Sequence, residues 1–134
     1  MKRTPASSAT ACPCGRAATY AECCGRWHDG PLRLAAPDAE ALMRSRYSAY
    51  VLGLVPYLLD TWHPSTRAAS LELDVAGTTW LGLEVRAHTR VDATHATVEF
   101  VARNRVGGRG HRLHETSRFV LEAGRWFYVD GTLR

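Results

Sequence analysis

The sequence predicts an α+β fold: a curled antiparallel sheet packed on N-terminal helices to form a cone, with a small cysteine knuckle ahead of it. Three observations carry this. Between Asp38 and Pro64, apolar and aromatic residues recur in steps of three and four, the spacing of one helix face. From Leu71 onward, apolar and polar residues alternate between short turns, the pattern of strands. All four cysteines fall between Cys12 and Cys24, and the 110 residues that follow hold none.

The elements follow in order. Residues 1–11 are small and polar and are expected to form a flexible tail. Residues 12–30 hold the knuckle and 31–134 the cone. Asp38 is the expected N-cap of a helix over 39–52, because its carboxylate can accept first-turn amide hydrogens. Met43, Tyr47, Tyr50 and Leu54 mark its buried face. Gly53 and Pro56 break the pattern, and proline suits the first turn of a new helix over 55–62. His63-Pro64 stops it.

Beyond the helices, Leu71, Leu73 and Val75 read as a short strand ending at Gly77. Leu81, Leu83, Val85, Ala87, Thr89 and Val91 would share one face of a long strand, with Glu84, Arg86, His88 and Arg90 on the other. Ala96, Val98, Phe100 and Ala102 continue the alternation. Gly107-Gly108-Arg109-Gly110 makes a loop, His111 to Glu122 the next strand, and Trp126 to Asp130 the last. In that last strand, Trp126 and Tyr128 compete with Phe127 and Val129 for the inner face. Short turns between consecutive strands make an antiparallel meander. Its apolar face has only the two helices to cover it.

Composition is that of a globular chain: 46% hydrophobic and 22% charged residues argue against disorder. No apolar run approaches the ~20 residues of a membrane span. MKRTPASSATACPC has no apolar core behind its two basic residues, so no signal peptide is expected. Net charge is +4 and the pI about 9.1, which suits an acidic partner without requiring one. Arg103, Arg105, Arg109 and Arg112 read as a solvated hairpin end rather than a nucleic-acid patch.

The cysteines carry the clearest chemistry. Cys12 and Cys14 are separated by one residue, eight residues follow, and Cys23 and Cys24 are adjacent. Two close pairs on a short loop suit a tetrahedral structural zinc, with all four as ligands. Disulfides are the competing reading, but a vicinal bond is strained and a reducing, cytoplasmic setting disfavours them. A redox pair is a third, although the spacing is not C-x-x-C. His28 is either a spare ligand or, on the simpler reading, a surface histidine after a turn.

In the 111–122 strand, Leu113, Phe119 and Leu121 share a face, and Glu115 and Ser117 have the same parity. A carboxylate is therefore expected on the core side, where it must be paired or functional. The favoured expectation is an ion pair with Arg44 or Arg46; the alternative is an acid/base at a pocket, with His63 as a further catalytic candidate. His111 and His114 lie three apart on one strand and face opposite ways, so they cannot share a metal. No triad or phosphate loop is visible.

The run Cys12-Pro13-Cys14-Gly15, then Cys23-Cys24-Gly25, resembles the SEC-C motif, a small zinc-binding element also found in the secretion ATPase SecA. The second glycine usual after that first pair is absent, since Arg16 follows Gly15. Trp27-His28-Asp29-Gly30, Leu42 to Tyr50, Thr61 to Arg67, His114-Glu115 and Trp126 to Gly131 resemble the YchJ family of small bacterial proteins. That resemblance implies a SEC-C knuckle ahead of a nuclear-transport-factor-two-like domain, and no settled activity. Three functions remain in order of preference. The first is a protein-interaction module docking through the knuckle. The second is a small-molecule binder or enzyme using the cone. The third and weakest is a nucleic-acid binder. A homodimer through the open sheet face is compatible with each.

Overall fold

The computed structural model describes residues 10–134; the expected tail, 1–11, lies almost wholly outside the described residues. A single 3-10 turn (Tyr20–Glu22) precedes a short helix α1 (Gly25–His28). Two longer helices follow, α2 (Ala39–Leu52) and α3 (Val55–Asp60), then four strands: β1 (Thr78–Arg90), β2 (His95–Val106), β3 (Arg109–Glu122) and β4 (Arg125–Leu133). The strands pair antiparallel in sequence order. The fold is therefore the expected α+β arrangement, a meander covered by N-terminal helices.

Local chemistry sets the helix ends. Asp38 Oδ1 accepts the Ala41 amide at 2.7 Å, as an N-cap should. Gly53 closes α2 in the left-handed region (φ 74°) and returns its N–H to the Ala49 carbonyl. Pro56 sits in the first turn of α3. The end of α3 is stapled to β4: Tyr128 N donates to Thr61 O at 2.9 Å, and His63 N donates to Tyr128 O at 2.8 Å.

Nine of the fourteen residues of α2 are buried, too many for one face. The helix is covered twice. Met43, Arg46 and Tyr47 turn toward the sheet, while Ser45 and Ser48 meet the knuckle. The expected face was found, but the second was hidden, because serine carries no apolar signal. Small side chains there let the knuckle backbone approach closely.

The sheet departs from simple alternation in β1. Bulges between Trp80 and Gly82 and between Val85 and Ala87 each insert a residue and reverse the parity. Trp80 therefore faces in, opposite Asn104, and Leu81 faces out at 49% exposure. Leu83 and Val85 keep their expected inward places. After the second bulge, His88 and Arg90 lie opposite the buried Val98 and Ala96, although all of Ala87 to Arg90 is exposed at this end of the strand. Arg90 lies over the Trp126 ring at 5.2 Å.

The expected strand at Leu71–Val75 does not form. Among the described residues the segment has no ladder partner, yet Leu71 and Leu73 pack on the core. Half-buried extended chain alternates as a strand does, so side-chain pattern alone could not separate them. In β4 the register is settled: Trp126 and Tyr128 oppose Leu121 and Phe119 and face in. A bulge beside Phe119 then places Gly131 opposite Ser117, while Asp130 pairs with Arg118 on the outer face.

Candidate metal centre and cavity

The knuckle is built by a few backbone bonds. Cys12 N donates to Ala18 O at 3.0 Å and Gly15 N to Cys12 O at 3.2 Å, which closes a tight loop around the first pair. The 3-10 turn carries the chain to Cys23 and Cys24, whose carbonyls begin α1. The four sulfurs then lie within 4.8 Å of one another, all buried and none in a disulfide. Cys14 Sγ and Cys23 Sγ are 3.6 Å apart. A tetrahedron with metal–sulfur bonds of about 2.3 Å has edges of about 3.8 Å, so the donor set fits a tetrahedral metal ion.

Charge points the same way. Hydrogen bonding from Cys14 and Cys24 holds the Cys12 thiol far below its ordinary range. Hydrogen bonding to Cys12 pushes Cys24 up, and burial pushes Cys23 up to about 11. Cys23 and Cys24 thus resist losing their protons beside Cys12. A divalent cation removes that resistance by binding thiolates.

The knuckle is clamped onto α2. Arg44 Nη1 donates to Cys14 O at 3.0 Å, and its Nε pairs with Glu40, which also holds Arg16. Cys12 Sγ lies 3.7 Å from Ser48 Oγ. His28 is not the expected surface histidine; it is 7% exposed. Its α1 turn aims the ring at α2, where Nε2 lies 2.8 Å from Ser45 O, an acceptor only. The proton therefore sits on Nε2, and Nδ1 accepts the Tyr20 hydroxyl at 2.7 Å.

Burial pulls the His28 pKa below its ordinary 6.5. The neutral ring is the folded form, and the unfolded chain takes up the proton first. The clamp is therefore at full strength above about pH 6.5 and weakens as pH falls through the lowered value. Between about pH 7.5 and 5.5 the native protein should lose more unfolding free energy than His28→Gln, whose amide can keep both hydrogen bonds. Urea titrations of both proteins measure this; parallel losses would remove His28 from the acid response.

On the other face of α2 the cone encloses a cavity of about 410 Å³. Its wall is aromatic, with Tyr47, Tyr50, Trp80, Phe100, Phe119 and Tyr128. Glu115 faces in as expected, opposite Phe100. Its Oε2 accepts the Ser117 hydroxyl at 2.5 Å. The backbone of Gly131 leaves room for it, since a methyl there would collide with the carboxylate.

The expected ion pair from Glu115 to Arg44 or Arg46 does not form. Arg44 is on the knuckle side of α2. Arg46 is 6% exposed and reaches the end of α3, where Nη1 donates to Leu58 O at 2.8 Å and Thr61 Oγ1 at 2.6 Å. Its guanidinium lies over the Tyr128 ring at 4.5 Å. Burial, with Glu115 nearby, pushes the Tyr128 phenol up to about 12, so it stays a neutral donor.

His63 does not join Glu115. It does not line the cavity, and its ring bridges Ser65 Oγ at 2.7 Å and Glu122 Oε2 at 2.9 Å. Among the described residues, His114 pairs instead with Glu99 at 2.7 Å on the outer sheet face. Asn104 was missed. It continues the parity of Phe100 and Ala102 into the cavity, and its Oδ1 is buried without a partner.

The family model described as YchJ, middle NTF2-like domain, matches residues 38–131, and the SEC-C motif model matches residues 10–26. The chain belongs to the YchJ family. A UPF0225 protein of Bordetella parapertussis is 61% identical over 134 residues, the full length of both chains. One from Cupriavidus metallidurans is 62% identical over 129 residues, covering 92% of this chain and 89% of that protein.

Two solved structures are similar over most of the chain. The solution structure of a SEC-C motif containing protein from Rhodopseudomonas palustris has a TM-score of 0.77 at 38% identity, over 90% of this chain and 96% of that one. The crystal structure of a SEC-C motif containing protein from Psychrobacter arcticus has a TM-score of 0.76 at 33% identity, over 95% and 84%. In this YchJ-family chain the four cysteines are the SEC-C cluster, and they form a potential metal site. No described helix is long and apolar enough to cross a membrane. Arg103, Arg105, Arg109 and Arg112 are exposed around the β2–β3 turn.

Proposed function

We propose that this protein is a small-molecule-binding cone clasped by a structural zinc. The observation that carries the reading is the cavity of about 410 Å³ whose inward carboxylate, Glu115, forms no direct ion pair among the described residues, Arg46 and Arg118 attracting it only from farther off. A scaffold domain has no use for such a group. Buried carboxylates in a structural core are paired, and a cavity of this size suits a compact ligand. Glu115 stands on a rigid strand and is the group placed to exchange a proton with a bound molecule.

Zinc is assigned to Cys12, Cys14, Cys23 and Cys24 on the chemistry of the donor set. Four thiolates leave no open position for water, so its role is to hold the knuckle on α2. Reduced thiols of this kind suit the cytoplasm. Docking of a protein partner through the knuckle has weaker support, because Trp27, His28 and all four sulfurs are turned inward.

A panel of several hundred metabolites, read by thermal shift, tests the cavity reading. At least one compound should raise the melting temperature of the native chain but not that of Ala102→Trp, which fills the cavity. If every stabilising compound acts equally on both proteins, the cavity is not the binding site.

A further inference from the structure

The charge and acceptor layout of the cavity narrows its ligand; this step rests on the ligand-binding reading above. We propose that the cavity takes a small amine with an aromatic or apolar body, its ammonium held by Glu115 and the surrounding ring faces. Three carboxylates line the cavity, Glu72, Asp74 and Glu115, against one guanidinium, Arg46. Arg46 is already answered by the Leu58 carbonyl, the Thr61 hydroxyl and the Tyr128 ring.

Two cavity acceptors are under-used. Asn104 Oδ1 has no partner among the described residues, and Glu115 Oε2 accepts the Ser117 hydroxyl, with Arg46 and Arg118 attracting it only from farther off. An ammonium supplies N–H donors and a positive charge together. Aromatic faces are electron-rich and attract a cation within about 6 Å of the ring centre. Here Trp80 is flanked by Tyr47 and Tyr50, with ring centres 5.3 and 6.2 Å away, which makes a continuous aromatic wall. A carboxylate ligand would meet Glu115 without relieving it, and would leave Asn104 Oδ1 orphaned.

Asn104 lies four residues along β2 from Phe100, the residue opposite Glu115. At about 3.4 Å per residue the two acceptors are roughly 14 Å apart along the strand. A ligand with an amine at one end and a hydroxyl at the other would serve both. Tyramine, its alcohol counterpart tyrosol and its acid counterpart para-hydroxyphenylacetate are matched probes of this layout.

Isothermal titration of the full, metal-loaded chain decides the matter. Tyramine should bind at least ~10-fold more tightly than tyrosol, with the acid weakest. Glu115→Gln should remove the amine's advantage and leave tyrosol binding as it was. Gly131→Ala, which displaces the Glu115 side chain by collision, is expected to act in the same direction and guards against a folding defect in the first variant. Tyrosol or the acid binding as tightly as tyramine would overturn the amine assignment and leave the cavity reading standing. So would an amine advantage that survives both substitutions. Binding by none of the three would also overturn the amine assignment, while the cavity reading falls only if the metabolite panel finds no compound that separates the native chain from Ala102→Trp.

Discussion

Removing the metal, or replacing Cys14 by serine, should lower the melting temperature by roughly 10 °C or more, since about 3 kcal/mol shifts a domain of this size that far. Cys14 is fully buried and lies 3.6 Å from Cys23. Serine in its place offers a poor zinc ligand and leaves three sulfurs crowded without a full tetrahedron. The loss does not stop at the loop. The Cys14 carbonyl holds Arg44, and Arg44 with Arg16 holds Glu40 on α2. The purified native protein should carry about one equivalent of zinc, and Cys14→Ser less than about half of that. Full zinc occupancy in Cys14→Ser, or a native protein with under about half an equivalent, would sink the assignment.

Gly25→Ala should destabilise the protein by about 1–3 kcal/mol and make zinc easier to extract by chelator, through overpacking alone. A methyl at this position would lie 2.7 Å from the Tyr20 carbonyl oxygen and 3.0 Å from its ring. Neither neighbour is free to retreat. The carbonyl accepts the Cys23 amide at 3.1 Å, and the ring carries the hydroxyl bonded to His28. Any shift therefore moves a ligand or the clamp. Gly30→Ala is the control, since its φ of 82° makes a side chain strained but nothing stands within 4 Å. It should cost about 1–2 kcal/mol and leave chelator extraction of zinc unchanged. Chemical unfolding and chelator competition measure both effects. If Gly25→Ala extracts no faster than Gly30→Ala, the close approach at Tyr20 is not what secures the site.

Much of this was legible in the chain because it depends on neighbours in sequence. Asp38 caps α2 and Gly53 ends it, since capping involves residues three or four apart. The cysteine spacing announced a cluster for the same reason. Parity placed Glu115 and Ser117 inside the cone, because β3 runs opposite β2 without a bulge. The same rule failed in β1, where two inserted residues turned Leu81 out and set the exposed His88 and Arg90 opposite Val98 and Ala96. A bulge depends on the twist of the partner strand, which local pattern does not carry.

The sequence expectation for the partner of Glu115 also differs from the structure. Arg44 and Arg46 both stood on the right helix, two residues apart, and neither pairs with it. Their directions depend on what covers each side of α2, and that cover comes from the knuckle and from the end of α3.

By itself the sequence determined the two main helices and their caps, the four strands of the meander, and that four sulfurs gather near the start, all of them consequences of short-range sterics and hydrogen bonding. Only the tertiary structure decided that α2 is sandwiched between knuckle and sheet, that Arg46 answers the end of α3, and that Glu115 faces an open cavity. Those outcomes come from packing between segments far apart in the chain, where volume and charge must be satisfied together.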